Sequence, residues 1–286
     1  MNRRRLLAAL LLSLAGCGPA TLSTLDGVSR LGTGPRRVAA GVPYGSEPRQ
    51  RLDVYAPGGP AAKRPVVVFF YGGAWSSGSR GGYAFAGRAY AGQGFVAVVP
   101  DYRLVPDARF PAFVQDGALA IRWVRDNAAR FGGDPARITV AGHSAGAHIA
   151  ALLALDPRWL RGAGVDPRLI RAGALMAGPY DFLPFTDARS QAALGDWPRP
   201  EETQPISFAR RDAPPLWLAT GTTDTTVRPR NSEALAARLR AAGAPVELKL
   251  YPGRGHADLV IGLAKPLRGR VPTLRDSADF LKAHAL

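Results

Sequence analysis

A serine placed to attack a carbonyl carbon is indicated by the segment Gly142-His143-Ser144-Ala145-Gly146. The apolar run 138–141 comes before it and an apolar stretch to residue 154 follows, which predicts a strand, a tight turn and a buried helix. Glycines two positions on either side of a serine are typical of a turn so sharp that side chains there would collide with the strand or helix. The pattern predicts Ser144 as a nucleophile above a sheet. The alternative is a glycine-rich turn whose exposed serine has no catalytic role.

A serine hydroxyl becomes a nucleophile when a base takes its proton, and the base needs a carboxylate that fixes its tautomer. Asp224 follows the predicted strand 216–219, and His256 follows the last predicted strand, 246–251. Sites in doubly wound sheets lie at the carboxyl ends of the strands. The sequence therefore predicts Ser144 as the nucleophile, Asp224 as the carboxylate and His256 as the base, in that chain order.

Four further residues near these motifs are predicted to line the pocket: Trp75, His143, His148 and Asp181. The two histidines flank the predicted turn, where such residues are more often structural or pocket-lining than catalytic bases. Asp181 and Asp258 remain alternative carboxylates. Asp258 lies too close to His256 in sequence to be the first choice.

The small residues Gly72, Gly73 and Ala74 follow another predicted buried strand. Consecutive small residues let backbone amides approach a bound carbonyl oxygen. We expect these three residues to form an oxyanion hole together with the amide of Ala145, which starts the helix where the backbone carries partial positive charge. The alternative is a flexible glycine turn.

Strand-like and helix-like segments alternate along the chain without internal repeats. This order predicts an α/β fold, doubly wound, with a mostly parallel central sheet and helices on both faces. The predicted domain spans 45–286, and its irregular segment 180–213 is expected to form a small cap at the pocket mouth. The apolar walls expected there are Phe182, Phe185, Trp197 and Phe208.

The first residues predict an export signal. Three arginines at 3–5 precede an apolar stretch at 6–16, which is shorter than the roughly 20 residues that span a bilayer. The stretch ends in Leu-Ala-Gly-Cys, which resembles a bacterial lipobox, so 1–16 is predicted to be a lipoprotein signal, Cys17 the lipidated residue and 17–44 a tether. The predicted location is the bacterial cell envelope, with a membrane anchor at Cys17. The alternatives are a plain cleaved signal and, for the route, Sec or twin-arginine export.

Composition excludes several function classes. Cys17 is the only cysteine, so no intramolecular disulfide, cysteine-based metal site or cysteine nucleophile can form. The net charge is +15, but the basic residues are scattered rather than gathered into the stripe with aromatics that is typical of nucleic-acid binders. We therefore expect no nucleic-acid partner. The sequence leaves the oligomeric state open.

The chain resembles the α/β-hydrolase esterases, in the branch that holds hormone-sensitive-lipase-like, kynurenine-formamidase-like and isoprenylcysteine-methylesterase-like enzymes. The segment 101–106, with Phe110-Pro111 and Asp116, resembles the block that precedes the nucleophile in that branch. The segments 142–148 and 255–258 resemble its nucleophile turn and its histidine loop. The similarity covers about residues 48–284.

The resemblance implies a mechanism. Ser144 would attack an ester carbonyl, His256 would take and return the proton, Asp224 would orient His256, and water would release an acyl-enzyme. No metal and no organic cofactor is implied. The family's oxyanion loop usually begins with histidine, whereas Tyr71 stands here, and Trp75 is more typical of the formamidase-like and methylesterase-like members.

The sequence thus predicts a serine carboxylesterase that acts on small, short-acyl ester substrates. An arylformamidase-like or prenylcysteine-methylesterase-like activity is the alternative within the branch. A non-catalytic surface binding module on the same fold is the alternative of another class. An aminopeptidase-like activity ranks lower, because the sequence contains no propeller-like repeats.

Overall fold

The computed structural model describes residues 34–59 and 63–285. The predicted signal, Cys17 and the first part of the tether lie outside these residues. Eight strands form one sheet in the order β1-β2-β4-β3-β5-β6-β7-β8. The strands are β1 (Arg36–Pro43), β2 (Arg51–Ala56), β3 (Arg64–Phe70), β4 (Val96–Pro100), β5 (Gly133–His143), β6 (Ile170–Met176), β7 (Leu216–Gly221) and β8 (Val246–Tyr251).

The strands from β4 to β8 in the sheet order are parallel, whereas β2 pairs antiparallel with both β1 and β4. Every residue from Val66 to Phe70 is buried, so both faces of β3 are covered by other elements. A continuous apolar run is typical of such a strand, because neither face meets water. The predicted fold class, a mostly parallel sheet with helices, is confirmed.

Helices connect the strands. They are α1 (Ala84–Gly92), α2 (Ala112–Asn127), α3 (Ala145–Leu155), α4 (Pro157–Gly162), α5 (Ala188–Leu194), α6 (Arg230–Ala241), α7 (His256–Ile261) and α8 (Thr273–His284). The helix α3 is buried along its whole length, as its apolar sequence predicts. Among the described residues, no helix is both long enough and apolar enough to span a membrane.

The tether prediction needs a correction. Residues 36–43, placed by sequence in the tether 17–44, form the edge strand β1, which pairs with β2 over most of its length. None of its residues is fully buried, so the strand lacks the apolar alternation that would have indicated it. Its backbone pairing with β2 holds it in the sheet instead. The domain therefore begins before residue 45.

The segment 180–213, predicted to be a small cap, contains one short helix. That helix, α5, has seven residues, and two 3₁₀ turns follow it at Pro200–Thr203 and Pro205–Phe208. The side chain of Asp187 caps α5 by accepting the amide hydrogens of Arg189 and Ser190, a contact that supports short helices. The rest of the cap is irregular.

Candidate active site

Ser144 lies at the turn between β5 and α3, with φ of 55° and ψ of −125°. This conformation is rare for a residue with a side chain, and such strain is concentrated at functional sites. The Ser144 amide donates to the carbonyl of Met176 at 2.9 Å, which fixes the turn to β6. A Cβ atom on Gly146 would lie 2.1 Å from the carbonyl oxygen of Phe70. Only glycine therefore lets α3 begin directly against the end of β3.

His256 and Asp224 form a hydrogen bond, with 2.8 Å between Nδ1 and Oδ2. The Asp224 carboxylate is fully buried, and its other oxygen accepts the amides of Thr226 and Val227 at 2.9 Å each. An ionised carboxylate accepts only, so Nδ1 of His256 carries a hydrogen, and in the neutral ring the lone pair is at Nε2. The imidazole is thus oriented as a proton acceptor at Nε2.

Neighbouring strands bring these two residues together. Asp224 follows β7, and His256 is the first residue of α7, after β8. The two loops are joined by a hydrogen bond of 3.1 Å from the amide of Thr223 to the carbonyl of Arg254. Since β7 and β8 are parallel neighbours, their carboxyl ends deliver the carboxylate and the imidazole to one edge of the sheet.

The alternative carboxylates have other surroundings. Asp258 accepts the amide of Gly255 at 2.7 Å and so caps the start of α7. Asp181 is partly exposed, and its amide donates to the side chain of Asn231 at 3.0 Å. Neither carboxylate has a hydrogen bond to a histidine ring within the described residues. Asp224 alone does.

His143 connects the serine turn to the histidine loop. It is buried, and its Nε2 lies 3.0 Å from the backbone carbonyl of His256, to which it must donate because a carbonyl only accepts. The two imidazole rings are 4.7 Å apart between centroids. Burial, with a smaller effect of the neighbouring His256, lowers the pKa of His143 to about 3, so its ring is neutral. The structure gives this predicted pocket residue a positioning contact.

The loop after β3 reaches the serine turn. A Cβ atom on Gly72 would lie 3.0 Å from the Cβ of Ser144, so the loop backbone passes directly beside the nucleophile candidate. The carbonyl of Gly73 points back into its own turn, where it accepts the amides of Ser76 and Ser77 at 3.0 Å each. In the described part of the chain, neither the Gly73 nor the Ala74 amide donates to a backbone carbonyl. Their N–H groups thus remain available to a ligand oxygen.

A carboxylate that sequence reasoning left without a role holds this loop at both ends. Tyr71, before the glycines, donates to Oδ1 of Asp101 at 2.9 Å. Arg80, after them, donates its amide to the same oxygen at 2.6 Å and its guanidinium to Oδ2. Arg80 also pairs with the buried Asp53 at 3.0 Å. Asp101 could have been found from the sequence, because it is the polar residue that directly follows the buried strand β4.

Aromatic side chains surround Trp75, which follows the loop and is buried. Its ring contacts Phe113 at 6.1 Å, Phe182 at 6.2 Å and His148 at 5.1 Å between centroids. The Phe182 ring in turn contacts Phe185, at 5.6 Å between centroids, and both phenylalanines are partly exposed. Trp75, His148 and Phe182 thus form one aromatic wall.

Two of the four expected pocket walls lie elsewhere. Trp197 lines a cavity of about 530 Å³ together with Arg103, Trp159 and other residues, none of which belongs to the Ser144 turn, the Asp224 loop or the His256 loop. Phe208 lies under the guanidinium of Arg158 at 5.3 Å. The expectation that these two residues face the Ser144 pocket is not supported, because the cap turns them toward the helices α2 and α4.

Comparison with known families gives two matches. The BD-FAE family model matches residues 52–162, and the model of the prolyl oligopeptidase family matches residues 114–286. The second match covers more than half of the chain and contains the Ser144, Asp224 and His256 segments.

Similar curated proteins are esterases. A carboxylesterase of Mycobacterium tuberculosis is 34% identical, over 71% of this chain and 69% of its own length. A probable isoprenylcysteine alpha-carbonyl methylesterase of rice (Oryza sativa) is 35% identical, over 82% of this chain and 60% of its own length. The chain spans about three fifths of the length of the plant methylesterases that it matches.

A solved structure has the same architecture. An esterase of Thermogutta terrifontis with bound butyrate is 29% identical, with a TM-score of 0.70, over 84% of this chain and 92% of that one.

Proposed function

Because this chain belongs to the α/β-hydrolase esterases, we propose that it is a serine carboxylesterase that hydrolyses small, short-acyl esters. The observation that carries this proposal is the 2.8 Å hydrogen bond between His256 and the buried Asp224, held by His143 against the Ser144 turn. This arrangement leaves one imidazole nitrogen free to accept the serine proton.

In the proposed reaction, Ser144 Oγ attacks the ester carbonyl while Nε2 of His256 takes its proton. Asp224 keeps the hydrogen on Nδ1 and stabilises the imidazolium that forms. His256 then returns the proton to the leaving alcohol. Water then attacks the acyl-enzyme while His256 takes a proton from it, and the return of this proton to Ser144 releases the acid.

The negative oxygen of the tetrahedral intermediate would be held by the amides of Gly73, Ala74 and Ala145. Ala145 is the first residue of the eleven-residue helix α3, and a helix N-terminus has free N–H groups and partial positive charge. The closeness of Gly72 to Ser144 supports this placement, because a side chain at residue 72 would collide with His143 and Ser144.

The proposed preference for short acyl chains follows from the cap. The one α-helix of the cap has seven residues, so the cap offers little apolar surface to cover a long acyl chain. Each methylene that is buried contributes about 0.8 kcal/mol to binding. We expect 4-nitrophenyl acetate and butyrate to be hydrolysed with higher kcat/KM than the laurate ester. A laurate value at least tenfold above butyrate would contradict the proposal.

Prenylcysteine methyl esters are a second candidate substrate class. The 35% identity to a probable isoprenylcysteine methylesterase and the buried Trp75 favour it. A direct comparison of kcat/KM for an S-prenylcysteine methyl ester, N-formylkynurenine and 4-nitrophenyl butyrate decides between methylesterase, formamidase and short-chain esterase. Because the prolyl oligopeptidase model also matches, a prolyl 4-nitroanilide belongs in the same panel, where we expect no turnover.

The lipid anchor is a separate proposal. The lipobox-like sequence before Cys17 supports export and attachment to the bacterial cell envelope. Radiolabelled fatty acid should enter the wild-type protein in its host and not Cys17→Ser. Equal labelling of both proteins would contradict the proposal.

A further inference from the structure

Two buried polar atoms without a partner lie on rings that touch each other. The Trp75 and His148 rings meet edge to face, 5.1 Å between centroids and 83° between planes. Trp75 is 3% exposed and His148 is fully buried. Nε1 of Trp75 and Nδ1 of His148 have no hydrogen-bond partner among the described residues.

The chemistry of the two atoms is complementary. Nε2 of His148 lies 2.7 Å from the carbonyl of Thr203 and must donate to it, because a carbonyl only accepts. Nδ1 therefore carries a lone pair, and burial, which lowers the pKa of His148 to about 4, keeps the ring neutral at physiological pH. The Trp75 indole has a hydrogen to donate. The pair thus presents one donor and one acceptor.

This pairing is specific to the site. Other buried side chains in the described part, such as Trp159 and Trp217, also have an unpaired polar atom. In the described part, none of these rings, nor that of His143, which faces His256, contacts a second ring whose buried polar atom lacks a partner. Because unpaired buried polar groups destabilise a fold, two of them on rings in contact point to a ligand group that satisfies both.

The position is next to the reacting centre. The amide of His148 donates to the carbonyl of Ser144 at 3.1 Å, one turn into α3. Trp75 comes directly after Ala74 of the oxyanion loop. Phe182 contacts both rings, at 6.2 Å and 5.9 Å, and is partly exposed. The two rings thus lie beside the Ser144 turn and the oxyanion loop, with the partly exposed Phe182 next to both.

We propose that the preferred ester substrates carry a hydroxyl group that binds between Trp75 and His148, accepting the indole hydrogen and donating to Nδ1. A carbonyl or carboxylate only accepts, and an ammonium only donates, so each would leave one ring atom unpaired. A hydroxyl does both through one oxygen. This inference rests on the proposed esterase function.

The hydroxyl can belong to the acyl or to the alcohol part, and two pairs of esters distinguish these sources. The first compares the 3-hydroxybutyrate ester of 4-nitrophenol with the butyrate ester. The second compares 2-hydroxyethyl acetate with propyl acetate. We expect kcat/KM to be at least tenfold higher for a hydroxylated member of one pair, because a site built for a hydroxyl rejects the analogue that lacks it.

Variants assign the preference to the two rings. Trp75→Phe keeps the aromatic wall but removes the donor, and His148→Phe removes the acceptor. Each variant should lower the ratio of kcat/KM for the hydroxylated ester to kcat/KM for the plain ester at least fivefold, toward one. Phe182→Leu is the matched control, because Phe182 contacts both rings and has no polar atom. Phe182→Leu should change kcat/KM for both esters by the same factor. Circular dichroism checks that each variant is folded.

Failure of this inference differs from failure of the esterase function. Hydrolysis of butyrate with ratios near one in both pairs would overturn the hydroxyl site alone. A high ratio that survives in both Trp75→Phe and His148→Phe would also overturn it. A wild-type enzyme that turns over no ester in either pair would overturn both proposals.

Discussion

His143 donates a hydrogen bond from Nε2 to the backbone carbonyl of His256 at 3.0 Å. The residue before the proposed nucleophile thus holds the loop of the proposed base. Because His143 is the last residue of β5 and Ser144 follows it, this one contact fixes the nucleophile turn and the base relative to each other.

We predict that His143→Ala lowers kcat for 4-nitrophenyl butyrate by about 10- to 100-fold with little change in KM, because a shift of about 1 Å in a catalytic group has an effect of that size. His143→Gln, whose amide can still donate, should recover part of the loss. His284→Ala is the control, since His284 is exposed and contacts its own helix. An unchanged kcat in His143→Ala would contradict the positioning role.

The carboxylate assignment is tested by Asp224→Asn. An amide at this position can donate to the imidazole and so favours the wrong tautomer of His256, which should lower kcat on the order of 10⁴-fold. Steady-state kinetics with 4-nitrophenyl butyrate measures the loss. Thermal unfolding of the variant checks that the buried site is intact.

Asp258→Asn and Asp181→Asn are matched controls for that variant. Asp258 caps α7, so its replacement should destabilise the protein by roughly 1 kcal/mol and reduce kcat much less than Asp224→Asn. Asp181→Asn should have the smallest effect. If Asp258→Asn proved the most damaging of the three, the assignment of Asp224 would be wrong.

The role of Asp101 is tested through its partner Tyr71, because Tyr71→Phe removes the hydrogen bond that the hydroxyl donates to Asp101, together with the one that it accepts from Arg49. We expect a roughly tenfold fall in kcat at constant KM, since a loosened loop positions the oxyanion amides less well. Tyr90→Phe is the control, because it also removes a buried hydrogen bond, to Ser277 at 3.0 Å, but lies on α1. Equal kinetic losses in both variants would contradict a specific effect on the loop.

The elements that position the site were predictable because their sequence patterns are local. The apolar run of β3 and the glycine-flanked Ser144 each occupy a few consecutive residues. Asp224 and His256 followed from the rule that parallel strands deliver side chains at their carboxyl ends, and the structure places them in contact. Their catalytic roles stay predictions.

The contacts that hold the site were not predictable in the same way. Asp101 binds Tyr71 and Arg80, from two ends of a loop, and no local pattern relates these three positions. His143 was expected to line the pocket, and the hydrogen bond from its ring to a carbonyl 113 positions away was not expected. Such contacts depend on the packed arrangement of strands, which the sequence pattern does not specify.

Stability should fall steeply in mild acid. Burial lowers the pKa of His143 to about 3 and that of His148 to about 4, from an unfolded value near 6.5. Between these values the unfolded chain binds more protons than the folded one. The free energy of unfolding is therefore highest above about pH 6.5 and decreases below it, by roughly 2 kcal/mol per pH unit near pH 5.5.

Urea unfolding at pH 5.0, 6.0 and 7.5 measures this slope. His143→Gln should reduce it by about half, because one of the two groups no longer titrates. A stability that stays constant from pH 7.5 to 5.0 would contradict the neutral, buried state of the two rings.

The most direct test of the account is mass-spectrometric mapping of a fluorophosphonate adduct. Ser144 is the only serine in the tryptic peptide 138–158, so the modified peptide identifies the nucleophile. We predict one adduct per chain on this peptide, none in Ser144→Ala, and a loss of ester hydrolysis by several orders of magnitude in that variant. An adduct on another residue, or a folded Ser144→Ala that keeps more than about a tenth of the wild-type kcat/KM, would contradict the account.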